Sequence, residues 1–193
     1  MRIITGKAKG LKLKTPAGFS TRPTSDRVKE SLFSVLNGMI DFNEISAVLD
    51  IFAGTGALGI ESLSRGAGSV TFIDFATADI IAENVRRAKF ENAAEILRGD
   101  FEKILRRISR QDKKFDLIFI DPPYKKNLAD KALELIAEFE LLNESGLIIV
   151  EYGADETLDT KNFKSIRKIK YGRTTAIEIL VTNDNEGNLH GKF

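Results

Sequence analysis

Residues 46–152 alternate short apolar segments with amphipathic segments, and this alternation restricts the fold more than any other feature of the chain. The apolar segments have the length and the β-branched composition of strands. The segments between them repeat apolar residues every three or four positions, which is typical of helices. Strands that alternate with helices in this way form a parallel sheet with right-handed crossovers.

Two further segments, which share a tight turn at Gly172, close the pattern and predict an antiparallel hairpin at one edge. The predicted strands are 46–52, 69–74, 94–99, 115–121, 146–152, 165–172 and 175–181, and the predicted helices between them are 57–66, 77–90, 101–108 and 128–139. We therefore predict an α/β fold of Rossmann-like, doubly wound type, with a mostly parallel seven-stranded sheet and an antiparallel C-terminal hairpin.

The N-terminal part has a different pattern, because residues 2–14 alternate apolar and basic side chains around Gly6 and Gly10. This spacing predicts a small hairpin, and apolar positions at helical spacing predict a helix from Asp26 onward. We expect three parts: a basic hairpin and helix extension over 1–40, the main domain over 41–183, and a polar tail over 184–193.

The charge of the chain is unevenly distributed. Residues 1–30 carry eight basic and two acidic side chains, a net +6, so the rest of the chain has a net charge of −5. A basic extension on an acidic body indicates a polyanionic partner. A hairpin kept in solution by its lysines explains the same charge equally well, so both interpretations stay open.

Composition limits the chemistry. The chain has no cysteine, which excludes disulfides, zinc–thiolate sites and cysteine nucleophiles. Its single histidine, His190, lies in the polar tail, so we expect neither a histidine-based triad nor a metal site. No apolar run approaches the ~18 residues of a membrane span, and we expect a cytoplasmic protein without membrane contact. Any catalysis then depends on carboxylates, hydroxyls, backbone groups or a bound cofactor.

The stretch "DIFAGTGALG" follows the first main strand and opens a helix, and its glycines at 54, 56 and 59 match G-x-G-x-x-G. In this context the pattern predicts a cofactor loop. Asp74 ends the next strand 20 residues after Gly54, where a carboxylate can accept both hydroxyls of a ribose. A dinucleotide and S-adenosylmethionine both fit these features.

Asp50, four residues before Gly54, helps to separate these two cofactors. A carboxylate there repels a pyrophosphate and attracts an α-ammonium group and a sulfonium, although a bond to loop amides is the alternative. Asp100 can accept the adenine amino group with Phe101 beside the ring, or it can simply cap a helix. Phe75 can stack on adenine, or it can belong to the core.

The stretch "FDLIFIDPPY" ends an apolar strand with an acid, two prolines and a tyrosine. It can be a plain strand terminator. Alternatively, the Asp121 carboxylate and the Pro122 carbonyl each accept one N–H of an exocyclic amine and direct its lone pair at a methyl donor. Proline suits this position because it adds no competing donor. Tyr124 can stack on a base that has left its helix.

Four stretches resemble a known family: "RIITGKAKGLKL", "RPTSDRVKESLF", "DIFAGTGALGIE" and "DPPY". They are similar to class I S-adenosylmethionine-dependent amino-methyltransferases, and in particular to the RsmD group, which methylates N2 of a guanine in small-subunit (16S) ribosomal RNA. The resemblance implies a methyltransferase that acts on 16S rRNA or on the assembling small subunit, with S-adenosylmethionine as cofactor. Nothing in the sequence indicates more than a monomer, and the composition gives no reason to expect a metal.

The resemblance also implies the roles of individual residues. It gives the target base to Asp121, Pro122, Pro123 and Tyr124, and the cofactor to Asp50, Gly54, Gly56, Asp74 and Asp100. Besides these, we expect Phe52, Phe75 and Phe101 to contact the cofactor, and the basic residues Lys7, Lys9, Lys12, Lys14, Arg22 and Arg27 to contact the RNA. The chain departs from the family pattern at Asp74, where relatives often have glutamate, and at Tyr124, where they often have phenylalanine. Arg22 and Arg27 contact phosphate or close over the pocket, unless they form salt bridges with Asp26 or Glu30.

Three other functions remain open on the sequence. An adenine-N6 or other amino-methyltransferase on RNA or DNA shares the four-residue motif. A non-catalytic RNA-binding module explains the basic extension but assigns no role to Asp121. An NAD-dependent oxidoreductase explains the glycines and Asp74, but it also leaves Asp121 to Tyr124 unused.

Overall fold

The structure, a computed structural model, describes residues 1–16, 26–123 and 127–183. Its strands are β1 Ala47–Ile51, β2 Ser69–Asp74, β3 Ala94–Arg98, β4 Phe115–Ile120, β5 Leu142–Gly153, β6 Phe163–Tyr171 and β7 Thr175–Thr182. Its helices are α1 Asp26–Asn37, α2 Ala57–Arg65, α3 Ala78–Ala88, α4 Phe101–Ser109 and α5 Leu128–Glu138, with short 3-10 helices at Phe42–Glu44 and Glu91–Ala93. Each predicted strand and helix is present, most of them within two residues of the expected bounds.

The strands form one sheet in the order β3-β2-β1-β4-β5-β7-β6. The first five are parallel, whereas β7 pairs antiparallel with both β5 and β6. The predicted doubly wound sheet with an antiparallel C-terminal hairpin is therefore confirmed. The strand order reverses between β1 and β4, and ligands of such sheets bind in the crevice at the carboxyl ends of the two strands.

Two apolar cores cover the two faces of the sheet. One joins the N-terminal segment, α1, α2 and α3 to residues such as Val48 and Phe119, and the other joins α4 and α5 to residues such as Leu49 and Ile118. Neighbouring residues of β1 and β4 belong to opposite cores, since side chains alternate along a strand. This burial on both faces explains why these strands are apolar throughout.

Residues 1–14, here called the N-terminal arm, run across α2. Arg2 and Lys12 form a single antiparallel bridge, and Ile3 and Leu13 are buried. The predicted hairpin is thus present in a short form. The arm and α1 share an apolar core with the main sheet, so side-chain packing continues across the boundary predicted near residue 40.

A buried ionic cluster fixes the arm to the helices. The carboxylate of Glu61 on α2 accepts the backbone N–H groups of Ile4 (2.7 Å) and Thr5 (3.0 Å). It also pairs with Lys29 of α1 at 3.3 Å and with Arg65 at 2.9 Å, and the Lys29 and Glu61 side chains have no exposure to solvent. Burial lowers the pKa of Lys29, although Glu61 acts in the opposite direction. An unpaired charge here would be costly, so the cluster specifies one position for the arm.

Within the described ranges, no helix combines the length and the apolar character needed to cross a membrane. In the same ranges, no group of three or more histidine, aspartate or glutamate side chains is arranged to hold a metal ion.

Candidate active site

The loop between β1 and α2 turns sharply at three residues with positive φ: Phe52 at 65°, Gly54 at 57° and Gly56 at 76°. Gly56 caps α2, and a Cβ atom there would come within 3.2 Å of Ile81. A Cβ atom on Gly59 would come within 2.3 Å of the Phe72 ring. The glycine pattern therefore sets the turn and brings α2 close to β2, as the sequence predicts.

Asp74 connects this loop to the turn after β2. One carboxylate oxygen accepts the Gly54 N–H at 2.9 Å, and the other accepts the N–H groups of Ala76 and Thr77, both at 2.8 Å. The carboxylate thus lies in the crevice, beside the first glycine, and is held there by three backbone donors. Its contact with a ribose stays a prediction, and the position of Asp74 agrees with it.

Asp50 is a buried acid in β1 with 1 % exposure. It accepts the Gly59 N–H at 3.0 Å, so the bond to a loop amide that the sequence left as an alternative is present. Burial raises the pKa of Asp50 to about 7, the Gly59 bond opposes this shift, and the Asp74 charge adds to it. A cation that arrived beside Asp50 would favour the ionised form.

The aromatic residues of the crevice have different surroundings. Phe75 is 77 % exposed directly after β2, so the alternative that it belongs to the core is wrong. The Phe52 and Phe101 rings pack against each other, with centroids 4.8 Å apart and planes 57° apart. Phe101 is buried, which makes it a support for Phe52 and the loop. Asp100 caps α4 by accepting the Lys103 N–H at 3.1 Å, which is the second interpretation of that residue.

The Asp121 segment follows β4 at the same edge of the sheet. Ile120 pairs with Ile51, so the chain continues as Asp121 beside the start of the glycine loop at Phe52. Asp121 is half-buried, Pro122 is buried and Pro123 is exposed. The predicted site residues Tyr124 and Arg22 lie outside the described residues.

A cavity of about 400 Å³ adjoins the two prolines. The first turn of α5, Tyr152 at the carboxyl end of β5, and residues 155–158 complete its lining. The Tyr152 hydroxyl donates to Glu178 at 2.6 Å, and Lys168 lies 5.3 Å from the centre of the Tyr152 ring. Sequence reasoning missed Tyr152, since it reads as the last member of an apolar strand. Its position at the carboxyl edge beside β4 is the signal that points to it.

The predicted RNA-binding lysines of the arm, Lys7, Lys9, Lys12 and Lys14, have exposed side chains. Lys14 forms an ion pair with Glu83 of α3. Arg27 is exposed near the start of α1, and within the described ranges it forms no ion pair, so the salt bridge considered for it is absent there. These cations lie on the side of the sheet that carries α1, α2 and α3.

This strand order, with a glycine loop at its switch point, is shared with similar solved structures named as methyltransferases, and it places the chain in the Rossmann-like methyltransferase class. The solved structure of a candidate methylase from Haemophilus influenzae agrees: it is 34% identical, has a TM-score of 0.74, and is matched over 93% of this chain and 96% of its own. A hypothetical protein of Thermus thermophilus has a TM-score of 0.81 at 28% identity, with 94% and 99% of the two chains covered.

Within this class, the chain belongs to the family of ribosomal RNA small subunit methyltransferase D. The family model described as conserved hypothetical protein 95 matches residues 1–179. The Haemophilus influenzae protein named ribosomal RNA small subunit methyltransferase D is 38% identical over 173 residues, which are 88% of each chain. The resemblance stated from the four sequence stretches is therefore confirmed.

Proposed function

We propose that this chain transfers a methyl group from S-adenosylmethionine to the exocyclic N2 amine of a guanine in small-subunit (16S) ribosomal RNA. The observation that carries the proposal is the junction of two strand ends: β4 delivers Asp121 and Pro122 beside the glycine loop that follows β1. An amine acceptor and a cofactor loop thus share one corner of the sheet.

The residues of the crevice fit the proposed cofactor. Asp50 offers a buried carboxyl to the α-ammonium group, and its raised pKa means that such a cation would stabilise its charge. A pyrophosphate would instead favour the neutral form of Asp50 and gain no attraction from it, which argues against a dinucleotide-dependent oxidoreductase. Asp74 offers its carboxylate to the ribose, and exposed Phe75 offers a ring face to adenine. When bound, S-adenosylmethionine supplies an electrophilic methyl group on a sulfonium.

The chain's own contribution is to activate and position the amine. The lone pair of an exocyclic base amine is delocalised into the ring, so the free amine is a poor nucleophile. Asp121 and the Pro122 carbonyl each accept one N–H, which favours a pyramidal nitrogen whose lone pair faces the methyl group. As the nitrogen gains its bond to the methyl carbon, the bond from that carbon to the sulfonium sulfur would break with its electron pair left on sulfur, and Asp121 would accept the proton that the nitrogen loses. Fixed acceptors of this kind act through positioning and electrostatics.

Two observations support RNA as the substrate. Related chains of Haemophilus influenzae and Escherichia coli K12 carry the name ribosomal RNA small subunit methyltransferase D. The N-terminal arm also presents four exposed lysines, which suit a phosphate backbone.

The cavity beside Pro122 provides space near the amine site for a base that has left its helix. The choice of guanine N2 rests on the family resemblance.

The direct test is mass spectrometry of modified nucleosides in 16S rRNA from a strain that lacks the gene. We expect N2-methylguanosine to fall and to return when the wild-type gene is restored. A loss of N6-methyladenosine instead would support the adenine alternative, and an unchanged nucleoside profile would contradict the proposed function.

A second test separates an enzyme from an RNA-binding module. Asp121→Ala should abolish tritiated methyl transfer to small subunits from the deletion strain, while its affinity for S-adenosylhomocysteine stays within about fivefold of wild type. Asp121→Asn keeps the shape and one acceptor oxygen but cannot take up the proton that the nitrogen loses, so we expect a large loss of activity. If Asp121→Ala retains most of the activity, the amine-clamp mechanism is wrong.

A further inference from the structure

Asn84, on the sheet-facing side of α3, connects the N-terminal arm to the glycine loop. Its side chain is fully buried and makes three hydrogen bonds to backbone groups. The amide oxygen accepts the Lys14 N–H at 2.7 Å, and the amide nitrogen donates to the Lys14 carbonyl at 3.0 Å. The same nitrogen donates to the carbonyl of Thr55, between Gly54 and Gly56, at 2.9 Å. One side chain therefore holds the end of the arm and the centre of the loop.

The chemistry of these partners fixes the amide in one orientation. The Lys14 N–H can only donate and the Thr55 carbonyl can only accept, so a flipped amide would place like groups against both. Both N–H groups of the amide are used. Because Asn84 has no exposure, a displaced Lys14 would leave buried polar groups without a partner, which is unfavourable. A movement of the arm at Lys14 is thereby linked to the loop at Thr55.

The other end of the arm is fixed close to the same loop. Ile4 and Thr5 bond to Glu61, and Ser64 accepts the Lys7 and Ala8 N–H groups through its carbonyl and its hydroxyl. Glu61 and Ser64 both belong to α2, the helix that begins directly after Gly56. The arm is therefore attached on both sides of the loop: to α2, and through Asn84 to Thr55.

We propose that Asn84 is a positioning residue that couples RNA binding on the arm to cofactor binding in the glycine loop. RNA held by the arm lysines restrains the Lys14 peptide, which restrains the Asn84 amide and the Thr55 carbonyl. The loop is then held in the conformation that receives the cofactor. Linkage is reciprocal, so the bound cofactor strengthens RNA binding by the same factor. This inference rests on the proposed function, because it takes the cofactor and the RNA from it.

The test compares the affinity for S-adenosylhomocysteine with and without saturating small subunits from the deletion strain, by equilibrium dialysis. For wild type we expect the subunits to tighten binding at least about fivefold, the lower end of typical coupling between sites. Asn84→Ala should reduce this ratio to less than about twofold. Asn84→Asp keeps the acceptor for Lys14 but loses both donors. Small subunits should therefore tighten its binding of S-adenosylhomocysteine by less than about twofold as well.

The matched control is Asn143→Ala. Asn143 lies near the start of β5 and donates to Asp116, near the start of β4, at 2.6 Å, so this change is at the amino ends of the strands, away from the glycine loop. It should keep the wild-type ratio. A general loss of stability would raise this ratio, because saturating subunits bind the folded protein and shift unfolded chains to the folded state. A lowered ratio therefore reports a loss of coupling. If Asn84→Ala does not fold, Asn84→Asp carries the same test.

Two results would overturn the inference while leaving the proposed function intact. One is a wild-type protein that binds both ligands with no mutual effect, and the other is an Asn84 variant that keeps the wild-type ratio. A wild-type protein that binds neither S-adenosylhomocysteine nor small subunits would instead refute the proposed function itself.

Discussion

Replacement of Asp50 by asparagine should change how the stability of the protein depends on pH. Asparagine keeps the shape of the side chain and the acceptor for the Gly59 N–H, but it cannot ionise. In the folded protein, burial raises the pKa of Asp50 from 3.8 to about 7. Between these two values the unfolded chain releases the proton and the folded chain keeps it. Wild type therefore loses stability as pH rises through this window, whereas the variant does not.

The size of the effect follows from the two pKa values of Asp50. Each unit of difference corresponds to about 1.4 kcal/mol in the free energy of unfolding. Linkage over the range from pH 5 to pH 8 then gives a relative loss of about 3 kcal/mol for wild type, most of it below pH 7. This is a large part of the stability of a domain of this size.

The assay is urea denaturation of wild type and Asp50→Asn without cofactor, at four pH values from 5 to 8. The quantity of interest is the difference between the free energies of unfolding of the two proteins, because the contributions of all other titrating groups cancel in this difference. Asp112→Asn, at an exposed turn, serves as the control for loss of a surface carboxylate. A difference that stays constant over this range, or an Asp50→Asn protein that becomes relatively less stable toward pH 8, would refute the reasoning.

Three further substitutions test separate parts of the account. Phe75→Ala should weaken S-adenosylhomocysteine binding about tenfold in calorimetry. It should leave the melting temperature unchanged, because the ring is exposed. An unchanged affinity would show that adenine does not stack on Phe75. Glu61→Ala should cost about 3–5 kcal/mol in urea denaturation, because it strands the buried Lys29 charge; a loss below 1 kcal/mol would show that the cluster does not anchor the arm. Joint alanine replacement of the arm lysines should weaken RNA binding and reduce its salt slope by roughly 0.7–0.9 for each phosphate that is no longer neutralised. An unchanged slope would direct attention to the exposed cations of the C-terminal hairpin. The lysines to replace are Lys7, Lys9, Lys12 and Lys14, and the hairpin cations are Arg167, Lys168, Lys170 and Arg173.

The sheet and its helices could be predicted because each leaves a local periodic pattern. The strands buried on both faces are continuous apolar runs, and the glycine loop has fixed spacing between a strand and a helix. The start of β5 was harder to predict. The strand begins at Leu142, earlier than the expected residue 146, and pairs with Phe115 before its register shifts. The polar stretch from Asn143 to Ser145 hides this pairing in the sequence.

The residues that depend on contacts across the chain could not be predicted. Lys29 and Glu61 lie within the stretches that carry the family resemblance, yet charged residues on amphipathic helices are usually exposed. Their burial arises only when the arm folds over α1 and α2. Asn84 is likewise indistinguishable from a surface residue of α3 until Lys14 and Thr55 reach it. The end of β2 at Asp74 was predicted, but the exposure of Phe75 was not, because an apolar residue directly after a strand can either pack into the core or face solvent.

The central claim is that one corner of the sheet holds both a methyl donor and the acceptors of a base amine. A crystal structure with bound S-adenosylhomocysteine tests it most directly. The account predicts that the sulfur lies over the glycine loop and faces the Asp121 carboxylate and the Pro122 carbonyl, with room for a base amine between them. A sulfur that lies away from the carboxyl ends of β1 and β4 would contradict the account.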